Sequence, residues 1–193
     1  MEIKQSNITF KYGSIFNSNA QVITNTVNTF GVMGAGLAKQ FRERFPEMYE
    51  DYKEKCRRKE VKVGQPYLWK PQNGDGKWIL NFPTKHHWRK KSRLEWIEEG
   101  LKYLLEHYEE WGIQSLAMPA LGCDLGGLDW ESQVKPLMVR YLSQMNIPVE
   151  IYEPLPKIRR KKQKMHKESN HKKRTKVESQ AKQECSVQGK LSF

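Results

Sequence analysis

Two glycine-rich segments, each set between a short apolar run and a helix-like one, constrain this chain more than any other feature. The first reads Asn25-Thr26-Val27-Asn28-Thr29-Phe30-Gly31-Val32-Met33-Gly34-Ala35-Gly36. The second reads Pro119-Ala120-Leu121-Gly122-Cys123-Asp124-Leu125-Gly126-Gly127-Leu128-Asp129-Trp130. A strand that turns directly into a helix exposes backbone N–H groups at the helix start, where a phosphate is held. Between the two segments, Asn81-Phe82-Pro83-Thr84-Lys85-His86-His87-Trp88-Arg89 ends an apolar run on a lysine. A diphosphate ligand beside a reactive lysine is the chemistry this layout suggests.

The pattern along the chain alternates strands and helices. Ile3 to Phe16 carries alternating apolar positions around a turn at Gly13-Ser14, which predicts two short strands or one strand and its extension. Gln21 to Val27 reads as a buried strand. Gly36 to Lys59 predicts a long helical segment broken near Pro46, with Leu37, Phe41, Phe45, Met48, Tyr49 and Tyr52 at helical spacing. Gln65 to Trp69 and Lys77 to Phe82 predict a hairpin across the turn-rich stretch Pro71 to Gly76. Leu94 to Trp111 is the clearest helix, with Ser92 and Glu95 in the spacing of a capping box and Gly112 as its stop. Ser115 to Pro119 predicts a buried strand, Trp130 to Met145 a helix with Asp129 as its cap, and Val149 to Tyr152 a last strand. This alternation predicts a layered α/β fold with a partly parallel sheet. Ligands of such sheets bind beyond the carboxyl ends of strands, where both glycine segments and Lys85 are expected.

Charge separates the chain into two parts. Residues 156–193 hold 13 of the 34 Lys and Arg and 3 of the 22 Asp and Glu, leaving residues 1–155 with 21 basic and 19 acidic residues. The basic character therefore belongs to a C-terminal tail, expected to be disordered because it cannot bury enough apolar surface to offset chain entropy. Such a tail suits electrostatic tethering to nucleic acid. It lacks interleaved aromatics, so base stacking is not expected there. Cys56, Cys123 and Cys185 share no metal-ligand spacing and imply no disulfide framework. No apolar run approaches the ~20 residues of a membrane span. A cytoplasmic protein with no metal is the expectation.

The glycine segments fit neither the dinucleotide fingerprint nor the phosphate-binding loop of NTPases: after Gly34 and Gly36, Lys39 stands where a third glycine is required. Redox chemistry on NAD and ATP hydrolysis are both poorly supported. Asn25 and Asn28 suit either local turn formation or hydrogen bonding to sugar hydroxyls. Asp124 lies within the second segment and suits a structural or a functional role equally. Lys85 is followed by His86, His87, Arg89, Lys90 and Lys91. Clustered cations attract a diphosphate and also disfavour the charged form of a lysine, which a nucleophilic role requires. Without that depression Lys85 serves as an electrostatic clamp.

Taken together these segments resemble the macrodomain family, the ADP-ribose-binding α/β fold, over most of residues 1–155. The resemblance is strongest to its DarG-type branch. It rests on Asn25-Thr26-Val27-Asn28 running into Gly31-Val32-Met33-Gly34, on Asn81 to Lys85 with Trp88, Arg89 and Ser92, and on Leu121-Gly122-Cys123 with Leu125 to Trp130. The resemblance implies a three-layer α/β/α fold with a mixed, partly parallel sheet over 1–155, followed by the tail at 156–193. It implies Lys85 as the catalytic lysine. The ADP-ribose-binding residues it implies in the first loop are Asn25, Thr26, Asn28, Gly31, Val32, Met33, Gly34 and Gly36, around the distal ribose. In the second loop they are Pro119, Leu121, Gly122, Cys123, Asp124, Leu125, Gly126 and Gly127, around the diphosphate. It further implies hydrolysis of ADP-ribose from thymidine in single-stranded DNA, reversal of a DarT-like toxin, no cofactor and a monomer. A non-catalytic ADP-ribose reader, and hydrolysis of ADP-ribosylated protein or O-acetyl-ADP-ribose, are the alternatives. Two departures bear on these. Ser14 follows Gly13 where many macrodomains carry an aspartate that contacts adenine. Gly126 stands where hydrolases of protein glutamate esters have an aspartate, which favours the DNA-directed branch. DarG-type proteins also carry a large C-terminal domain that helps neutralise the toxin; only the basic tail follows here, so toxin binding by that route is not expected.

Overall fold

The computed structural model describes residues 6–72, 74 and 76–155; the expected tail at 156–193 lies outside the described residues. The strands are β1 (Ile8–Lys11), β2 (Val22–Asn28), β3 (Tyr67–Trp69), β4 (Trp78–Lys85), β5 (Leu116–Pro119) and β6 (Val149–Tyr152). The helices are α1 (Gly36–Arg44), α2 (Pro46–Arg57), α3 (Leu94–His107) and α4 (Lys135–Leu142). They build one sheet in the order β1-β6-β5-β2-β4-β3. Every neighbouring pair is parallel except β3 and β4, which form the expected antiparallel hairpin.

Strand parity sorts the core into two layers. Val22, Leu80 and Phe82 point to one face, where they pack with Ile97, Leu101 and Leu104 of α3 and Met138 and Leu142 of α4. Ile23, Val27 and Ile79 point to the other, against Phe41 of α1 and Met48 and Tyr52 of α2. Alternate residues of a strand face opposite ways, so a sheet covered on both faces needs apolar residues at both parities. The result is the layered, partly parallel arrangement that the alternation of elements predicted, in the three-layer α/β/α form with a mixed sheet that the family resemblance implied.

Local chemistry sets the element ends. The long helical segment breaks at Phe45, because the residue before Pro46 is driven out of the helical region; its φ is −131°. Of the two arrangements expected for Ile3 to Phe16, the one with a second short strand does not form: Ile15–Asn17 is a single tight turn, in which Asn17 N–H donates to Ser14 O at 3.0 Å. The helix expected from Trp130 begins with one wide turn, Trp130–Val134, before α4. There Val134 N–H donates to Asp129 O at 3.1 Å, one residue beyond the usual helical partner. Asp129 caps that start, accepting from Ser132 N–H at 2.9 Å.

The capping box at Ser92 and Glu95 does not form. Arg93 occupies the cap position of α3 and makes no side-chain cap hydrogen bond. Ser92 is buried and packs against the second glycine loop instead. The apolar stripe of α3 also includes Gly100, where a Cβ would lie 2.4 Å from the Phe82 ring. Helix and sheet approach closely there only because glycine has no side chain. Gly100→Ala is expected to cost about 1–3 kcal/mol by overpacking, read as a lower denaturant midpoint at unchanged slope.

Candidate functional site

Because β2, β4 and β5 are parallel, Asn28, Lys85 and Pro119 all end at one edge of the sheet. β2 pairs with β5 only at Val22↔Leu116 and Ile23↔Ala117, whereas its pairing with β4 continues to Asn28↔Lys85. Strand order reverses at β2, the position in such sheets where a crevice opens for ligand. The first glycine loop leaves β2, the Lys85 segment leaves β4 and the second glycine loop leaves β5. Topology thus gathers the three segments the sequence singled out.

Lys85 reaches its place through an irregularity in the ladder. Val27 pairs with Pro83 but Asn28 pairs with Lys85, so one residue of β4 is extra. Pro83 has no N–H to give to the ladder, and a bulge there redirects the residue that follows. Lys85 is 9% exposed, and its Nζ donates to the Leu125 carbonyl of the second loop at 3.0 Å. Burial lowers its pKa from 10.5, and the Asp124 carboxylate pulls against that shift. The sequence points to the following cations as the cause of the depression. The structure assigns it to burial: His86, Arg89, Lys90 and Lys91 point to solvent and His87 is half-buried.

The first loop is held from within by Asn28. Its Nδ2 donates to Val32 O at 2.6 Å, and its Oδ1 accepts from Phe30 N–H at 3.0 Å. Tyr52 Oη donates to the Asn28 carbonyl at 2.7 Å, anchoring the turn to α2. Burial raises the Tyr52 pKa strongly, so the phenol remains a donor. The loop is also tied to the lysine strand: Thr29 N–H donates to Lys85 O at 3.1 Å, and Thr29 Oγ1 to His86 O at 3.1 Å. The loop then enters α1 at Ala35, which offers no capping side chain. The first N–H groups of α1 are therefore left for solvent or an anion. Gly34 and Gly36 beside them are exposed.

The second loop closes on itself and on Ser92. Leu128 N–H donates to Gly122 O and Ser92 N–H to Gly126 O, both at 3.0 Å. A Cβ at Gly126 would fall 2.2 Å from Gly122 O and 2.5 Å from Ser92 Oγ. No side chain fits there without opening the loop. Asp124, Leu125 and Gly127 form the loop's exposed rim. The two loops meet where Leu125 Cδ1 lies 3.5 Å, and Asp124 Oδ2 4.0 Å, from the Cβ position of Gly36.

Other expected site residues lie deeper. Asn25 is fully buried on the α1–α2 face, where its Nδ2 donates to Asn81 Oδ1 at 3.0 Å. Met33 and Leu121 are fully buried under their loops, and Thr26, Gly31, Val32 and Pro119 are half-buried. Gly122 is buried and Cys123 half-buried; burial raises the Cys123 thiol to about 12, so it stays protonated and donates to Leu121 O. Tyr52 and Ser92 hold the loops and Asn81 ties β4 to β2; Asn81 and Ser92 stand in the sequence motifs, but the sequence assigns ligand binding to none of the three. Only the tertiary contacts reveal these roles, although Asn81 sits in register with Asn25 across the β2–β4 ladder. Among the described residues no three His, Cys, Asp or Glu converge as metal ligands, and no helix is long and apolar enough to cross a membrane.

A lysine held between two glycine loops at the carboxyl edge of a three-layer mixed sheet defines a macrodomain, and the chain belongs to that family: the Macro domain family matches residues 24–136. A curated relative from Thermosipho africanus, a DNA ADP-ribosyl transferase–DNA ADP-ribosyl glycohydrolase fusion protein, is 45% identical over 173 residues, which is 81% of this chain and 44% of the relative. The solved structure of Thermosipho africanus DarTG in complex with ADP-ribose is 44% identical, with a TM-score of 0.74, over 78% of this chain and 42% of that one. The macrodomain of Mycobacterium tuberculosis DarG is 42% identical, with a TM-score of 0.73, over 76% of this chain and 97% of that one. The chain thus spans less than half the length of the curated fusion protein.

Proposed function

We propose that this chain is a DNA ADP-ribosyl glycohydrolase that releases ADP-ribose from thymidine in single-stranded DNA and so reverses a DarT-like toxin. The observation that carries the reading is the placement of Lys85: a buried amine at the junction of both glycine loops, with its pKa lowered by burial. The names of its relatives support the DNA substrate. In this reading the first loop takes the distal ribose and the uncapped start of α1 and the second loop take the diphosphate. Gly31, Val32, Gly34, Gly36, Cys123, Asp124, Leu125 and Gly127 form the binding surface, and the buried Gly122 and Gly126 let the second loop fold tightly under it. Asn25, Thr26, Asn28, Met33, Pro119 and Leu121 shape it from beneath. The basic tail tethers the enzyme to DNA.

The neutral Lys85 amine attacks C1″ of the ribose as the bond to the nucleobase nitrogen breaks. The nitrogen leaves with the bonding pair and takes a proton. Water then displaces the amine at C1″ and releases ADP-ribose. A lysine nucleophile works only in its neutral form, and burial enlarges that fraction. The expected kcat/KM for release of ADP-ribose from ADP-ribosyl-thymidine DNA therefore rises with pH and levels off below 10.5, the ordinary lysine pKa. A profile that falls as pH rises would assign catalysis to the charged ammonium. No release at any pH, with ADP-ribose still bound, would place the chain among ADP-ribose readers.

A further inference from the structure

The rim beside Lys85 carries aromatic rings that the core does not use. Phe30, at the turn of the first loop, is 59% exposed, and Trp88, in the segment after Lys85, is 45% exposed. His87 joins them. Its ring centroid lies 4.6 Å from that of Phe30 and 5.4 Å from that of Trp88, with the latter two planes only 24° apart. The Arg89 guanidinium sits 4.4 Å over the Trp88 ring. The turn is held in shape by Lys90 N–H donating to His87 O at 2.9 Å and Arg89 N–H donating to His87 Nδ1 at 3.1 Å.

Charge along the segment that carries His87 and Trp88 has one sign; the nearest carboxylate the site shows is Asp124, on the facing loop. From Gly76 to Leu94 the sequence contains no acidic residue, while it contains Lys77, Lys85, Arg89, Lys90, Lys91 and Arg93. Arg89, Lys90 and Lys91 are all exposed. Two exposed rings joined through His87 and carried on a segment rich in cations are the composition of a surface that stacks unpaired bases and pairs with their phosphates. Protein interfaces also use aromatic rings and arginine; the run of cations without a carboxylate from Gly76 to Leu94 is what favours a polyanion here.

We propose that Phe30, His87 and Trp88, flanked by Arg89, Lys90 and Lys91, form a stacking platform for the nucleotides that adjoin the modified thymidine in single-stranded DNA. The inference rests on the glycohydrolase reading, because it assigns the platform's occupant from the substrate at Lys85. The platform gives the site a grip on the strand that is independent of the ADP-ribose pocket. It favours unpaired over paired DNA, since the faces of paired bases are already stacked.

The test compares two substrates, an ADP-ribosylated thymidine mononucleotide and a short single-stranded oligonucleotide carrying the same modified base. A stacked base is worth about 1–3 kcal/mol, so Trp88→Ala and Phe30→Ala are each expected to lower kcat/KM on the oligonucleotide about 5- to 150-fold. On the mononucleotide each variant keeps the wild-type value. Trp88→Phe, which retains a ring, keeps most of the oligonucleotide activity. The triple variant Arg89→Ala, Lys90→Ala, Lys91→Ala flattens the salt dependence of binding, by about 0.7 in log–log slope for each phosphate that is no longer neutralised. Equal loss on both substrates would overturn the platform, as would no loss on the oligonucleotide. Failure of the wild type to hydrolyse either substrate counts against the glycohydrolase reading alone. Anisotropy with labelled, unmodified oligothymidine then decides the platform by itself: weaker binding by Trp88→Ala and preference for single strand over duplex sustain it. Unchanged binding, or equal affinity for duplex, overturns it.

Discussion

Replacing Lys85 with alanine is expected to abolish ADP-ribose release while leaving ADP-ribose bound. The lysine sits at the junction of the loops and not within either; removing its side chain frees the Leu125 carbonyl but leaves the Leu128–Gly122 and Ser92–Gly126 hydrogen bonds that close the second loop. A positioned reactive group contributes at least about a hundredfold to rate, and turnover is expected to fall by that much or more, read as product release under single-turnover conditions. Calorimetry on the same variant is expected to show ADP-ribose affinity within a few-fold of wild type. A variant that loses binding as sharply as turnover would make Lys85 an anchor for the ligand. Stability offers an independent check. Burial holds the folded-state pKa of Lys85 below 10.5, so between the two values the unfolded chain binds more protons and stability rises with pH. The melting temperature of Lys85→Met is therefore expected to exceed that of wild type near neutrality, with the gap narrowing as pH approaches 10.5. That trend reports the burial of the amine without reference to any substrate.

Gly126→Asp is expected to destroy the second loop as a ligand site. The new Cβ would lie 2.2 Å from the Gly122 carbonyl oxygen, which itself accepts from Leu128 N–H, and 2.5 Å from Ser92 Oγ. Backbone on one side and a buried serine on the other leave nothing free to rotate away. The loop must open, breaking the Leu128–Gly122 and Ser92–Gly126 hydrogen bonds and releasing the Leu125 carbonyl from Lys85. The expected cost is about 1–3 kcal/mol of stability from overpacking, a fall in melting temperature of about 2–4 °C per kcal/mol for a chain of this size. ADP-ribose affinity is expected to drop with it. Gly126→Ala is expected to suffer nearly as much, because the clash begins at Cβ and not at the carboxylate. Tight ADP-ribose binding by Gly126→Asp would show that the loop has a second conformation that admits a side chain.

The layered α/β reading followed from local chemistry that a linear sequence displays well. Apolar spacing revealed β2, β4, β5 and α3, and Pro46 announced the break between α1 and α2, because a proline restricts its predecessor whatever the surroundings. Capping was harder to read. Asp129 and Ser92 have equally plausible spacings, yet only Asp129 caps a helix. Ser92 is drawn into the second loop by Gly126, a residue far from it in sequence. The arrangement with a second strand near Phe16 failed for a related reason: alternation there marks Ile15 as buried, but a tight turn buries it as well as a strand does.

For the candidate site, the sequence by itself singled out the glycine loops and Lys85, and displayed the alternation of elements that brings parallel strand ends to one edge. Only the tertiary structure decided how they work. Desolvation depends on what surrounds an amine in space, so the cause of the shift at Lys85 is burial beneath the Leu125 carbonyl and not the cations next to it in sequence. The same holds for Asn28, whose amide is committed to holding the first loop, and for Asn25, whose Nδ2 is committed to the β2–β4 seam. It holds for Phe30 and Trp88, whose rings approach a common neighbour, His87, only because Asn28 and Lys85 are partners across two parallel strands.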